Sequence, residues 1–355
     1  MEELTKKQRR FRIFCWTLFI LIVLTIVGLN WPLPNYFIES PGTADSLKNF
    51  VTVDGKKDTQ KGTFMLTTVR LSQATPYKVL KARQHSFDEV IPRAELMSNQ
   101  TSNAQYNQLQ KYYMETAENT AAEVALKLAH KPYKMKYQGI YVMDFSQGSN
   151  FKNKLQVGDL ITAVNGHHFN SAKETIDYIQ SQKVGQEVTV QYERQGKTGE
   201  AKGKLTSLEG TKKPGLGIIL VTKPEVSSPI KIKINAGDIG GPSAGLMFTL
   251  ETYEMLTHKD LRHGRKIAGT GEIAPNGEVG RIGGIDKKVV AASKAGATIF
   301  FAPDDEITKE MKQYDPHMQS NYEEAKQAAK KIHTKMKIVP VKTVEDAIRY
   351  LEQHP

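Results

Sequence analysis

The sequence predicts an α+β protein of at least two folded units set behind one membrane-spanning helix. Three observations point there. A charge-free apolar run lies near the start of the chain. After it, β-type patterning broken by Asp-Gly and Asn-Gly turns gives way more than once to helical periodicity. And 355 residues with 39% hydrophobic content are more than one core ordinarily takes up.

The apolar run comes first. No charged residue occurs from Ile13 to Ile38, and Ile13 to Trp31 is dense in Ile, Leu, Val, Phe and Trp. At the α-helical rise that stretch spans roughly 28 Å, about one bilayer core. Trp16 and Trp31 sit near its two ends, where interfacial aromatics belong. Lys6, Lys7, Arg9, Arg10 and Arg12 precede it, and the first downstream charges are Glu39 and Asp45. The positive-inside rule then makes residues 1–12 a cytoplasmic basic tail and 13–31 a transmembrane signal-anchor, with everything beyond on the outer side of the cell membrane. A cleaved leader would have a shorter apolar region of ~7–15 residues and a small-residue cleavage site; here WPLPNYFIESPG follows instead.

The single cysteine, Cys15, falls inside this run, so no intramolecular disulfide or cysteine zinc site is expected. The formal charge of +11 is spread along the chain, five of the basic residues belonging to the tail. That spread argues against nucleic acid as a partner and fits an anionic cell envelope.

Residues 36–120 form the next segment. Tyr36 to Leu80 reads as strands and turns, with VTVDGKK entering an Asp-Gly turn and GTFMLTTVRL rich in β-branched and aromatic residues. MSNQTSNAQYNQ reads as a surface loop. Leu109 to Lys131 reads as helix, with Ala121, Val124, Ala125, Leu128 and Ala129 at helical spacing.

Residues 122–206 carry a different pattern: GIYVMDF a strand, KLQVGDLITAVNGHHF a turn, strand and Asn-Gly turn, SAKETIDYIQSQ a helix, QEVTVQYER a strand. This set resembles a PDZ domain. The resemblance implies a groove between an edge strand and a helix that takes up extended peptide by strand addition. It places the peptide-binding loop at Gln138, Gly139, Ile140 and Tyr141, although these residues are not the common GLGF form.

Residues 207–355 hold the residues that can do chemistry. After LEGTKKPGLG come the strands GIILVTK and IKIKINAG, and then GDIGGPSAGLMFTLETYEML, which sets Ser243 between a glycine-rich turn and a helix. A serine there can simply cap the helix; to react it needs a base. His258 and His263 lie in the polar stretch HKDLRH beyond the helix, some four turns away, and read as solvent-facing. A lysine serves if burial brings its pKa from ~10.4 toward ~7–8. In IDKKVVAASKAG, Lys287 shares a face with Lys294 and reads as wet, whereas Lys288 lines up with Ile285, Ala292 and Ala295 and points inward.

GPSAG, then TGEI, then IGG-x-x-x-K followed by AA-x-x-AG is similar to the proteolytic domain of Lon proteases, whose fold is ribosomal S5 domain 2-like. The resemblance implies Ser243 as nucleophile, Lys288 as base and Thr270 as the support of the lysine amine; the helix start itself, with backbone N–H groups near Ser243 and Ala244 and the turn of Gly241 and Pro242 before them, is read as the oxyanion site. Many Lon enzymes carry an acidic residue directly before GPS; this chain has Gly240 there. No ATP-binding loop is read: Gly196-Lys197-Thr198 lacks the earlier glycine, since Gln191 stands in its place. Gly269-Thr270-Gly271 with Ala274 likewise lacks the context of a dinucleotide site.

The whole arrangement resembles the Gram-positive SepM/YlbL type of Lon-like serine protease. It implies an ATP-independent endopeptidase acting on extracytoplasmic peptides or unfolded segments, secreted signalling peptides among them, with no cofactor and no metal. Lon-like domains often form rings, so a homo-oligomer stays open. The other reading of the same residues is a tethered PDZ adaptor with an inactive protease fold.

Overall fold

A computed structural model describes residues 6–97, 102–194, 196–208 and 210–355. Two compact units result, Met1–Gly42 with Val69–Gln100, and Thr43–Thr68 with Thr101–Pro355. Strands β1 (Leu33–Ser46) and β3 (Thr63–Ala74) each contribute residues to both units, so each unit is taken in turn.

The first unit opens with α1 (Lys6–Leu29), whose stretch Arg9–Leu29 is long and apolar enough to cross a membrane. Its apolar side chains are almost all exposed, which is tolerable only if something other than water covers them. Beyond it, β1 pairs antiparallel with β4 (Glu89–Pro92), Tyr36 opposite Pro92 and Glu39 opposite Glu89. Helix α2 (Pro76–Ala82) occupies the end of the stretch expected to be strands and turns. Its start follows capping rules: the Thr75 hydroxyl accepts from Lys78 N–H and proline takes the first position. A short helix, α3 (Arg93–Leu96), ends the unit, and Ile38, Ala74 and Ala82 form its small core.

In the second unit, β2 (Val51–Val53) runs into the expected turn, where Asp54 and Gly55 have φ of 50° and 75°. Helix α4 (Asn103–Leu128) starts earlier than the periodicity predicts, within the tract read as loop. Ser102 and Gln105 close a reciprocal capping box there. The Asn-Gln-Thr sequon of that tract lies outside the described residues.

A five-stranded antiparallel sheet follows, in the order β11-β5-β6-β7-β8. It is built from β5 (Lys134–Phe145), β6 (Leu160–Val164), β7 (Glu187–Arg194) and β8 (Lys197–Lys204), with α5 (Ala172–Gln180) between β6 and β7 and the two-residue strands β9 (Thr206–Ser207) and β10 (Pro214–Gly215) after β8. The fifth strand, β11 (Ile218–Ser227), comes from beyond the expected boundary at residue 206. Ile140, Val142, Ile161, Val188 and Val190 fill its core.

The rest of the unit is a mixed sheet in the order β17-β16-β13-β3-β1, where β13 (Lys266–Gly269) runs parallel to both β3 and β16 (Ile299–Pro303), and β17 (Lys337–Val341) closes the edge. Strand β12 (Ile232–Ile234) pairs with β2. Helix α6 (Gly245–Thr257) is buried along nearly all its length, which explains why its apolar residues are not confined to one stripe. A hairpin of β14 (Glu272–Ile273) and β15 (Val279–Gly280) leads to α7 (Ile285–Lys294); α8 (Lys309–Tyr314), α9 (Asn321–Lys331) and α10 (Val344–Gln353) complete the chain.

Candidate active site

The site is assembled around the turn that feeds α6. Gly241 has φ +91°, a left-handed conformation that favours glycine. Helix α4 holds this turn at two points: Gly241 N–H donates to the Gln110 carbonyl at 2.9 Å, and Ala236 N–H donates to the Glu118 carboxyl at 2.7 Å. A Cβ on Gly240 would stand 2.7 Å from the Cβ of Gln110. No side chain, acidic or otherwise, fits at that position while α4 stays where it is.

Ser243 is half-buried and lies one residue ahead of the helix cap, which is Ala244. Its hydroxyl therefore does no capping. It faces Lys288, whose Nζ lies 2.6 Å from Ser243 Oγ and 3.0 Å from Thr270 Oγ1. Thr270, fully buried at the end of β13, donates its own hydroxyl proton to the Ser243 carbonyl at 3.0 Å. With that proton committed, Thr270 Oγ1 can only accept from the lysine amine, and this turns the amine's remaining valences toward Ser243 Oγ. The three residues singled out in the sequence thus meet at one point, brought there by a turn, a strand end and the first turn of α7.

Lys288 is 3% exposed, as its alignment with Ile285 and Ala292 predicts. Lys287 is 3% exposed as well, contrary to the wet face expected for it. The periodicity argument allows α7 one packed face, but the helix packs against both α9 and β16, and Lys287 is buried while Lys294 stays in solvent. Asp286 lies 3.4 Å from the Lys287 amine.

Of the three expected oxyanion residues only Ala244 offers a donor, and Ser243 beside it adds a second. Gly241 N–H is taken by Gln110, and Pro242 has no N–H. The N–H groups of Ser243 and Ala244 make no backbone hydrogen bond among the described residues. They sit at the N-terminal end of α6, where the helix dipole favours negative charge. His258 and His263 are exposed at the opposite end of α6, roughly 20 Å along a helix of that length, and take no part.

A cleft of about 560 Å³ opens at Pro242, the residue before Ser243, between α4 and a wall made of Pro242, Glu272 and Ile273. Burial pushes the Glu272 carboxyl above its ordinary value, and the nearby Lys288 pulls it back.

A family model for the Lon protease (S16) C-terminal proteolytic domain matches residues 222–353, and one for the PDZ domain matches residues 109–205. The chain carries a PDZ domain and a Lon proteolytic domain. Among curated relatives, the Lon protease of Trichlorobacter lovleyi is 30% identical over 129 residues, 36% of this chain and 14% of that protein. The Lon protease of Fusobacterium nucleatum is 43% identical over 65 residues, 18% of this chain and 8% of that one. The chain therefore spans only a small part of these Lon proteases. Among solved structures, the PDZ domain of an SdrC-like protein from Listeria monocytogenes is 42% identical and covers 25% of this chain and 93% of its own, with a TM-score of 0.24.

The sheet of the PDZ domain leaves its free edge elsewhere than expected. Gln138, Gly139, Ile140 and Tyr141 lie within β5, an interior strand: Ile140 stands opposite Thr222 on one side and Ile161 on the other, and Tyr141 opposite Val221 and Leu160. A peptide strand has nowhere to pair at those residues. β11 is an edge strand, as β8 is on the far side, and it is entered through Gly215-Leu216-Gly217-Ile218, a Gly-Leu-Gly-apolar run where LEGTKKPGLG meets GIILVTK. Gly217 has φ +67°, and the N–H groups of Leu216 and Gly217 make no backbone hydrogen bond among the described residues. The signal was in the sequence; the segment lay too far from the rest of the PDZ pattern to be counted with it.

Helix α4 ties the PDZ sheet to the turn that holds Ser243. The Tyr112 hydroxyl donates to the Thr222 carbonyl at 3.0 Å, Tyr141 donates to the Glu115 carboxyl at 3.0 Å, and the Tyr112 and Tyr141 rings meet edge to face at 4.6 Å. The same helix packs its other side against α6.

Proposed function

We propose that this protein is a membrane-anchored serine endopeptidase that cleaves extracytoplasmic peptides or unfolded segments through a Ser243–Lys288 dyad, without ATP. The observation that supports it most directly is the buried Lys288 amine 2.6 Å from Ser243 Oγ with Thr270 as its second partner. A lysine without a task is costly to bury, and a serine beside a neutral amine is a recognised form of activated nucleophile.

In this reading the neutral Lys288 amine takes the Ser243 proton as Oγ adds to the peptide carbonyl. The Ser243 and Ala244 N–H groups receive the developing oxyanion. Lys288 then returns the proton to the leaving amine, and water, deprotonated by the same lysine, resolves the acyl-enzyme. The anchor α1 holds the domain at the outer face of the cell membrane, and the PDZ edge at Leu216–Leu220 engages an extended portion of the substrate.

The test is peptide cleavage by the detergent-solubilised chain, followed by mass spectrometry with and without ATP. Ser243→Ala and Lys288→Ala should each abolish cleavage while leaving the melting temperature within a few degrees of the parent. Cleavage should rise with pH as the base loses its proton. Full activity in Lys288→Ala would remove the dyad, and binding without cleavage by the parent would favour the inactive adaptor.

A further inference from the structure

The active-site cleft has one wall that does not come from the Lon domain match. Gln110, Tyr113, Thr116, Ala117 and Thr120 line it, and all five lie on α4, in the part of the chain that matches the PDZ family. Their spacing places them along one side of the helix. Met114, Ala121, Val124 and Ala125 on α4 go into the hydrophobic core instead. So α4 has a core face and a cleft face, and the cleft face begins where Gln110 grips the nucleophile turn.

Resting on the protease reading above, we infer that this face of α4 sorts the substrate side chain lying beside the scissile bond and admits uncharged ones. The chemistry of the wall carries the argument. The helix bears Lys111, Glu115, Glu118, Glu123 and Lys127, and none of these lines the cleft. What faces it is an amide, a methyl group and three hydroxyls, with Pro242 and Ile273 opposite. Glu272 is the one charged lining residue, and it stands on the opposite wall, its carboxyl partly shielded from water. A charged substrate side chain pressed on α4 would lose water and meet no counter-charge there; an uncharged one loses little and can exchange hydrogen bonds with Thr116 or Tyr113. The placement is held by the bonds from Gly241 N–H to the Gln110 carbonyl and from Ala236 N–H to the Glu118 carboxyl, with Gly240 leaving room for the close approach of Gln110.

The experiment uses the full chain in detergent and peptides that differ at one position at a time on either side of the cleaved bond, with relative kcat/KM read from fragment masses. The parent should prefer uncharged residues over Lys and Glu at one such position by about tenfold, the effect of one unfavourable charge contact. Thr116→Asp should raise the relative value for Lys at that same position about tenfold, and Thr116→Lys should do the same for Glu. Because each preference is a ratio within one preparation, partial misfolding of a variant does not move it, and a purely structural effect cannot push the two variants in opposite directions. Unchanged profiles, or the same change in both variants, would overturn the sorting wall while leaving the protease reading intact. Fragments that persist in Ser243→Ala would overturn the protease reading, and the wall with it.

Discussion

The most searching stability test concerns Arg262, buried at 1% exposure against α6, the helix that follows the Ser243 turn. Its guanidinium lies 2.7 Å from Asp58, 3.3 Å from Glu251 and 2.9 Å from Glu254. Burial pushes Glu251 up to about 8 and Glu254 up to about 7, against the pull of Arg262. Asp58 goes the other way: burial raises it, but its hydrogen bonds from Gln60 N–H and Arg262 outweigh that and hold it ionised. Glu251 Oε1 and Glu254 Oε2 are buried with no hydrogen-bond partner among the described residues, in line with the direction of both shifts. Arg262→Met keeps the apolar stem and removes the cation. Stripping one partner from a buried ion pair costs about 3–5 kcal/mol, which at about 2–4 °C per kcal/mol lowers Tm by about 6–20 °C. The sign of the pH dependence follows from the raised carboxyls. Their stabilising contribution is fully present below the ordinary value of 4.5 and lost as pH rises through about 7 to 8. Without Arg262 the pull that limits both shifts is gone, so the variant's deficit should be larger at high pH than in mild acid. Differential scanning calorimetry of parent and variant in detergent, in mildly acidic and mildly alkaline buffer, measures it. A Tm loss of only a few degrees, or an equal loss in both buffers, would refute the assignment.

Other outcomes follow from the site. Thr270→Val keeps the shape of a fully buried residue but removes the acceptor for Lys288; kcat should fall about a hundredfold with KM unchanged, read from initial rates on one peptide. The Ser243 carbonyl keeps its bond from Gly271 N–H, so the fold should survive, and circular dichroism checks that. Gly240→Ala should cost about tenfold or more in kcat because its Cβ meets that of Gln110 at 2.7 Å, and adding Gln110→Gly should restore part of the loss.

Much of the site was legible in the residues. The Asp-Gly and Asn-Gly turns, the apolar first helix and the inward lysine all rest on local rules, because a turn or a helix face is decided by residues a few positions apart. The misreadings also have local causes. The α2 helix hid behind β-rich neighbours although Thr75-Pro76 is a helix start, and the capping box at Ser102 hid in a tract that looks like polar loop. Lys287 was misplaced because periodicity cannot count how many partners a helix has.

By itself the sequence determined the pieces: a span of membrane length, a PDZ pattern, and a serine, a threonine and a lysine in a Lon-like order. It could do so because each rests on spacing within a few dozen residues. Only the tertiary structure decided that β5 is interior and β11 is an edge, since strand order depends on pairings between residues some eighty positions apart. It also decided that α4 walls the cleft and that Gln110 occupies the space a side chain at position 240 would need. Those are steric facts between distant segments, and no local pattern in either segment carries them.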